Sequence, residues 1–288
     1  MATARDIRRR IRSVESTAKI TKAMEMVAAS KMRRTQQRAL AGRPYAERLT
    51  WVLADLVEAM ELAEADTVHP LLRRREVERA SVILITPNRG LCGGLPTNLN
   101  RRASALTLDL GVPSSLVAIG RKGRDFFRRT DMEIQAEFTE LGDYPEYLDI
   151  LPISHIIIDD YTAGRVDQVF IVYAYFVNTL TQEPRVHQLL PVEPPSDEAT
   201  RAVDYIYEPR REAVLDELLP RYVEMQIYEA ILEANASEQS ARMVAMHNAT
   251  DAAEEMIEDL TLARNKARQE QVTSELLDIV GGVESMTA

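Results

Sequence analysis

From Arg210 to Met286 the chain offers a helix almost nothing to stop it: the last proline is Pro220, and no glycine follows it before Gly281. Roughly 60 uninterrupted residues predict a helix about 90 Å long at 1.5 Å per residue. Few globular helices run so far, so the spacing of the apolar residues decides what such a helix must do. Met246, Ala253, Leu260 and Ala267 recur every seven residues, and Ala249, Met256 and Ala263 form a second row offset by three, continued by Leu277. That pattern is a coiled-coil seam, and a seam needs a partner helix. The alternation of Ala with Met or Leu predicts a close approach.

The other end of the chain supplies the partner. Ile7, Val14, Thr21 and Ala28 recur every seven residues, and Ile11, Ala18, Met32 and Ala39 give the offset row, with Glu25 interrupting it. Leu49, Leu53, Leu56 and Met60 keep the rhythm, so the first helix is expected from about Thr3 to Met60, with Pro44 inside it and kinking it. Two narrow apolar stripes at opposite ends of one chain predict an antiparallel coiled coil. Charge points the same way. Residues 1–48 hold 13 Lys/Arg against 4 Asp/Glu, whereas residues 196–288 hold 8 against 20. Exposed pairs contribute only about 0.2–1 kcal/mol each, so the seam is expected to supply most of the stability.

Between the helices the period changes. Ser81–Thr86 is a short apolar run of the buried, parallel-sheet kind, and Ser115–Ile119, Glu133–Thr139, Asp167–Tyr173 and Val186–Val192 predict four more strands. Helices are expected at 96–108, 121–129 and 144–163. The alternation predicts an open, mostly parallel five-stranded α/β domain of Rossmann-like form over residues 76–195. It is inserted between coiled-coil helices at 1–60 and 209–286, with Pro209 opening the second.

Composition excludes several classes. The 288 residues carry net charge −10, against bulk nucleic-acid binding. A single cysteine, Cys92, rules out an intrachain disulfide. No window reaches the roughly 18 apolar residues of a membrane span. The Arg-rich start reads as mature helix rather than leader, because the heptads already run at Ile7.

Signs of catalysis are sparse. Gly90-x-x-Gly93-Gly94 follows the first strand, where a phosphate loop would sit, but matches neither dinucleotide nor P-loop patterns. Gly120-x-x-Gly123 is equally weak, and both read as glycines for tight turns. His69, His155, His187 and His247 are scattered without metal-ligand spacing, and Cys92 reads as a small buried thiol. Neither cofactor nor metal is expected. Three features stand out instead: Arg8-Arg9-Arg10 with Arg12; the Met- and Ala-rich stretch Ile20–Met32; and a polar break at Glu238-Gln239-Ser240-Ala241-Arg242. A basic coiled coil that binds nucleic acid stays open on the first of these. An α/β nucleotide-dependent enzyme stays open on the glycine loops.

The same blocks carry a resemblance. Ile7–Val14 with Ile20–Met32, Arg89–Gly94 with Gly120–Gly123, and Ala236–Met246 with Asn265–Gln269 and Thr273–Gly282 resemble the gamma subunit of F-type ATP synthase over nearly the whole chain. The resemblance implies a non-catalytic central rotor stalk, an antiparallel coil inside a ring of alpha and beta subunits. Its α/β domain would meet the epsilon subunit and the membrane ring of c subunits. It implies beta-subunit contacts at Met24, Arg242, Arg268 and Gln269, and epsilon or c-ring contacts at Tyr205, Tyr207 and Glu208. The apolar tail Leu276–Val283 would turn in a sleeve at the top of the ring. The cysteine-bearing insert of chloroplast members has no counterpart here and no mitochondrial presequence is evident. The implied location is peripheral, on the cytoplasmic face of a bacterial plasma membrane.

Overall fold

The computed structural model describes residues 4–61, 69–193, 208 and 210–287. Helix α1 spans Ala4–Glu61 and helix α5 spans Arg211–Thr287. Between them come β1 (Ala80–Ile85), α2 (Leu95–Leu110), β2 (Ser114–Ile119), α3 (Arg121–Phe127), β3 (Glu133–Phe138), α4 (Tyr147–Thr162), β4 (Gln168–Phe176) and β5 (Gln182–Leu190). The chain divides into two compact units, residues 1–28 with 243–288, and residues 29–242.

The first unit pairs the start of α1 with the second half of α5. Thr21 and Thr250 share a hydrogen bond of 2.8 Å between their hydroxyls, and Glu25 Oε1 lies 3.4 Å from His247 Nδ1. A forward step along one helix is a backward step along the other, so the pair is antiparallel, as expected. On α1 the covered positions Ile7, Ile11, Val14, Ala18, Thr21, Glu25 and Ala28 follow the predicted 3-4 rhythm, Glu25 included. On α5 one predicted row stands and the other holds only at Ala249. Met246 and Ala253 are buried and Leu260 and Ala267 half-buried, but Met256 and Ala263 face solvent. Thr250, Ile257 and Arg264, offset by four rather than three, take the second row. A buried Thr is tolerated because its hydroxyl reaches the Met246 carbonyl at 2.8 Å. An Arg is tolerated because its aliphatic stem covers apolar surface while its head stays wet.

The register also bears on the charge argument. Carried two heptads on from Thr21–Thr250, it sets Ile7 level with Arg264. Arg5 to Arg10 therefore lie level with 261–266, which include Arg264 and Lys266, and Arg12 lies level with Asp259. Ile7 and Ile11 are buried in this part of the coil.

The second unit is built on one five-stranded sheet of order β3-β2-β1-β4-β5. The pairings β1–β2, β1–β4 and β2–β3 are parallel and β4–β5 is antiparallel. β1 is central and buried at every residue. Ile83 and Ile85 point into a core shared with Ile150, Ile153 and Ile157 of α4, Leu53 and Leu56 of α1, and Leu215, Leu219 and Val223 of α5. Val82 and Leu84 point the other way, onto Leu95, Leu99 and Ala103 of α2 and Phe127 of α3. Alternate residues of one strand thus serve two layers. Ala46 and Leu49 of α1 close against Met225 of α5. Pro44 and Pro220 both sit within helices that continue through them.

The strand and helix boundaries fall within a few residues of those expected. β5 differs most, starting at Gln182 rather than Val186. α4 starts at Tyr147, three residues beyond Tyr144. There Glu146 caps the helix and Asp149 returns the bond to the Glu146 N–H at 2.8 Å, a capping box that fixes the start. Pro209 lies outside the described residues.

Candidate functional site: partner-contact surfaces

Parallel sheets of this kind open a ligand crevice at the carboxyl ends of the strands, where the strand order reverses. Here that place falls between β1 and β4, and α5 covers it. The Ser237 hydroxyl donates to the Ala174 carbonyl near the end of β4 at 2.9 Å. The Ser240 hydroxyl donates to the Thr179 carbonyl just beyond it at 2.7 Å, and Ala241 packs on the adjacent core. Arg242 Nη2 donates to the Gly90 carbonyl of the loop after β1 at 3.5 Å. The polar break in the seam is therefore the chain's own contact with its sheet. Small hydroxyls at 237 and 240 let the helix approach the strand ends, and each is satisfied by a carbonyl there.

In the two glycine loops Gly93 and Gly120 hold positive φ, whereas Gly90, Gly94 and Gly123 do not. Gly120 has φ +93°, and a Cβ there would meet the Thr86 carbonyl oxygen at 1.9 Å. The Gly123 N–H donates to Thr86 Oγ1 at 2.8 Å, so the turn after β2 is bonded to the end of β1. Leu91, at φ +65° and 60 % exposed, holds a conformation uncommon for a side chain of its size. Cys92 is buried, its thiol pushed up chiefly by burial and further by Glu238. Burial likewise pushes His69 down. Among the described residues no three metal-ligating side chains converge.

The predicted contact residues fall on different surfaces. Met24 is half-buried on α1, and Ile20 (58 %), Met26 (61 %) and Val27 (54 %) beside it are exposed. Large apolar residues exposed around one helix are a surface waiting for cover. Arg268 and Gln269 are exposed on α5. Beyond them Val272, Leu276, Leu277 and Ile279 are exposed too. By the register these residues lie past the described start of α1 at Ala4. Glu208 is exposed, whereas Tyr205 and Tyr207 lie outside the described residues.

Arg242 differs from the others. Its guanidinium binds the Glu238 carboxylate at 2.5 Å, and the two side chains are only 12 % and 17 % exposed. Sequence reasoning saw the polar break but missed this internal pair; the i, i+4 spacing of Glu238 and Arg242 was the available signal. It also missed Lys31, which reaches Asp143 at 2.6 Å beside that pair.

A family model described as ATP synthase matches residues 3–286. The ATP synthase gamma chain of Dehalococcoides mccartyi strain CBDB1 is 55 % identical over 286 residues, 99 % of this chain and 100 % of that one. The gamma chain of Roseiflexus sp. strain RS-1 is 51 % identical over 99 % of each. Among solved structures, a chain of the Tetrahymena thermophila mitochondrial ATP synthase central stalk and c ring aligns with TM-score 0.62 and 26 % identity, over 80 % of this chain and 99 % of that one. A chain of the Euglena gracilis mitochondrial ATP synthase aligns with TM-score 0.66 at 18 % identity, over 98 % and 94 %, a likeness of fold.

Proposed function

We propose the mechanism of a central rotor stalk for this chain, which belongs to the ATP synthase gamma chain family. The observation that carries it is the pairing of the two chain ends, Thr21 against Thr250, in a protein related to gamma chains along its whole length. A stiff rod with unlike faces biases equivalent sites unequally. Each orientation makes different contacts with the three beta subunits, and differential contacts are what shift a conformational equilibrium. Proton flow turns the foot, the coil carries the torque, and the beta subunits release ATP; hydrolysis runs the sequence backwards. The chain itself supplies no catalytic group and binds no nucleotide. The covering of the strand ends by Ser237, Ser240 and Arg242 supports that reading.

The partners are the alpha and beta subunits, the epsilon subunit and the c ring. Met24, Arg242, Arg268 and Gln269 meet beta subunits, and Tyr205, Tyr207 and Glu208 meet epsilon and the c ring. The apolar surface around Met24 supports the first assignment. The chain sits peripherally on the cytoplasmic face of a bacterial plasma membrane, held there through the c ring. In keeping with that, no described helix is long and apolar enough to cross a membrane. The nucleic-acid alternative has no support in the family or its relatives.

Met24→Lys in the assembled complex tests the contact. ATP hydrolysis is expected to persist while proton pumping falls, because a lysine at the contact disturbs coupling more than assembly. Equal loss of both activities would remove that role from Met24.

A further inference from the structure

Glu238 is a charge set well into the second unit. Its side chain is 17 % exposed on α5, and charged or titratable groups of several elements lie around it. Arg242 of α5 bonds it at 2.5 Å. Lys31 of α1 and Asp143 of the β3–α4 loop, themselves paired at 2.6 Å, face it from two sides. Cys92 of the β1–α2 loop is near enough for the two to raise each other's cost of ionising, and its thiol is neutral. Two cations balance two anions, and the guanidinium of Arg242 is spent on Glu238 and the Gly90 carbonyl. The cluster is neutral only while nothing else binds Arg242.

That balance constrains how Arg242 can be used at a beta subunit, and the inference rests on the reading that Arg242 meets one. The partner group that suits a guanidinium is a carboxylate. A carboxylate brought to Arg242 adds a third anion to a cluster of two cations in which the Glu238–Arg242 pair is the covered part and Lys31–Asp143 the outer part. If Arg242 swings outward instead, Glu238 is left buried and without its closest cation. Either way the ionised Glu238 becomes costly, since a buried charge without its partner is destabilising. The relief available is a proton. Burial already pushes this carboxyl above the usual range; Asp143 adds to the rise, and Arg242 and Lys31 oppose it.

We propose that Glu238 is the positioning residue for Arg242, holding it against the loop after β1. An acidic partner residue then engages Arg242 with uptake of one proton by Glu238. The contact is thereby linked to pH. Where the free chain holds Glu238 ionised, each pH unit of alkalinity costs the contact up to a factor of ten, and at the acidic end the cost vanishes.

The test is the affinity of the full chain for the ring of alpha and beta subunits, measured from pH 5.5 to 8.5 for wild type, Glu238→Gln, Glu238→Asp and Arg242→Gln. Glu238→Gln is expected to bind as wild type does at the acidic end and more tightly than wild type as pH rises, the gap growing by up to tenfold per unit. Glu238→Asp keeps a titrating carboxylate and is expected to restore the wild-type slope. A merely structural glutamate predicts the opposite, a Gln variant weakened equally at every pH, and that result overturns the proposal. If Arg242→Gln loses affinity while Glu238→Gln tracks wild type throughout, Arg242 is a contact and the proton linkage is wrong. If Arg242→Gln binds like wild type at every pH, the contact assignment itself fails. Should Glu238→Gln not fold, calorimetry of wild-type and Arg242→Gln binding in buffers of different ionisation enthalpy counts the proton directly. Uptake of one more proton by wild type than by Arg242→Gln is expected, and equal counts refute the proposal.

Discussion

Replacing the hydroxyls at the centre of the coil separates this register from any other. Thr21 Oγ1 and Thr250 Oγ1 lie 2.8 Å apart, and each has a second acceptor on its own helix, Ala18 O at 3.0 Å and Met246 O at 2.8 Å. Each hydroxyl has one proton, so one donates across the seam while the other donates to its own backbone. Thr21→Val removes the bond between helices but orphans nothing, because Thr250 turns to Met246. The cost is that of one bond, about 0.5–1.5 kcal/mol, and Thr250→Val should cost the same for the mirrored reason. The double variant has no bond left to lose and gains a methyl contact. Its cost should be about that of one single variant, a coupling of roughly 1 kcal/mol. Hydrogen exchange of the amides in 14–28 and 246–257, read by mass spectrometry on the full chain, reports this opening locally. Each single variant should speed exchange about fivefold, and the double variant by about as much. Strictly additive effects would mean that the two threonines do not touch, and the register would be refuted.

Other substitutions test other parts of the account. Ala253→Leu places bulk in the buried row of the coil and should cost about 1–3 kcal/mol, whereas Ala263→Leu, on the exposed row, should stay within about 0.5 kcal/mol; urea denaturation of the two compares them. Gly120→Ala has nowhere to put its Cβ and needs a left-handed backbone. It should lower stability by about 3 kcal/mol or more, seen as loss of soluble folded chain. His69 is held below its ordinary range by burial, with Asp216 opposing. A histidine whose folded pKa is lowered binds its proton more readily unfolded, so it contributes stability that is lost as pH falls below its ordinary value of 6.5. His69→Gln should therefore lose less stability than wild type between about pH 7 and pH 5, read from thermal melts; an identical pH dependence would place no such strain on His69.

The two long helices and the parallel sheet were legible because their signals are periodic and apolar. Ile7, Ile11, Val14 and Ala18 announce a stripe, and Val82–Ile85 a buried strand. What sequence misplaced was polar or ambiguous. Met256 and Ala263 look like seam residues and face solvent, while Thr250 and Arg264 look like surface and sit in the seam. Hydropathy registers side-chain type, not whether a hydroxyl finds a backbone carbonyl or a long stem lies flat. β5 was shortened for a related reason. As an edge strand it has one covered face, so Glu183, Arg185 and His187 interleave with its packed residues and hide the strand. The contact residues were reached by resemblance alone. Burial then distinguished Arg242, bonded to its own chain, from Arg268 and Gln269, which are open to solvent.

The central claim is that the paired chain ends turn as one body inside a ring whose other subunits make and break the phosphate bond. It is tested most directly by following a marker on Leu108→Cys, 80 % exposed on α2, in an immobilised complex with Thr21→Cys and Thr250→Cys oxidised to a cross-link and Cys92 replaced by Ser. ATP should drive continuous rotation of the marker even with the two helices locked together. A marker that stays still while ATP is consumed would contradict the account.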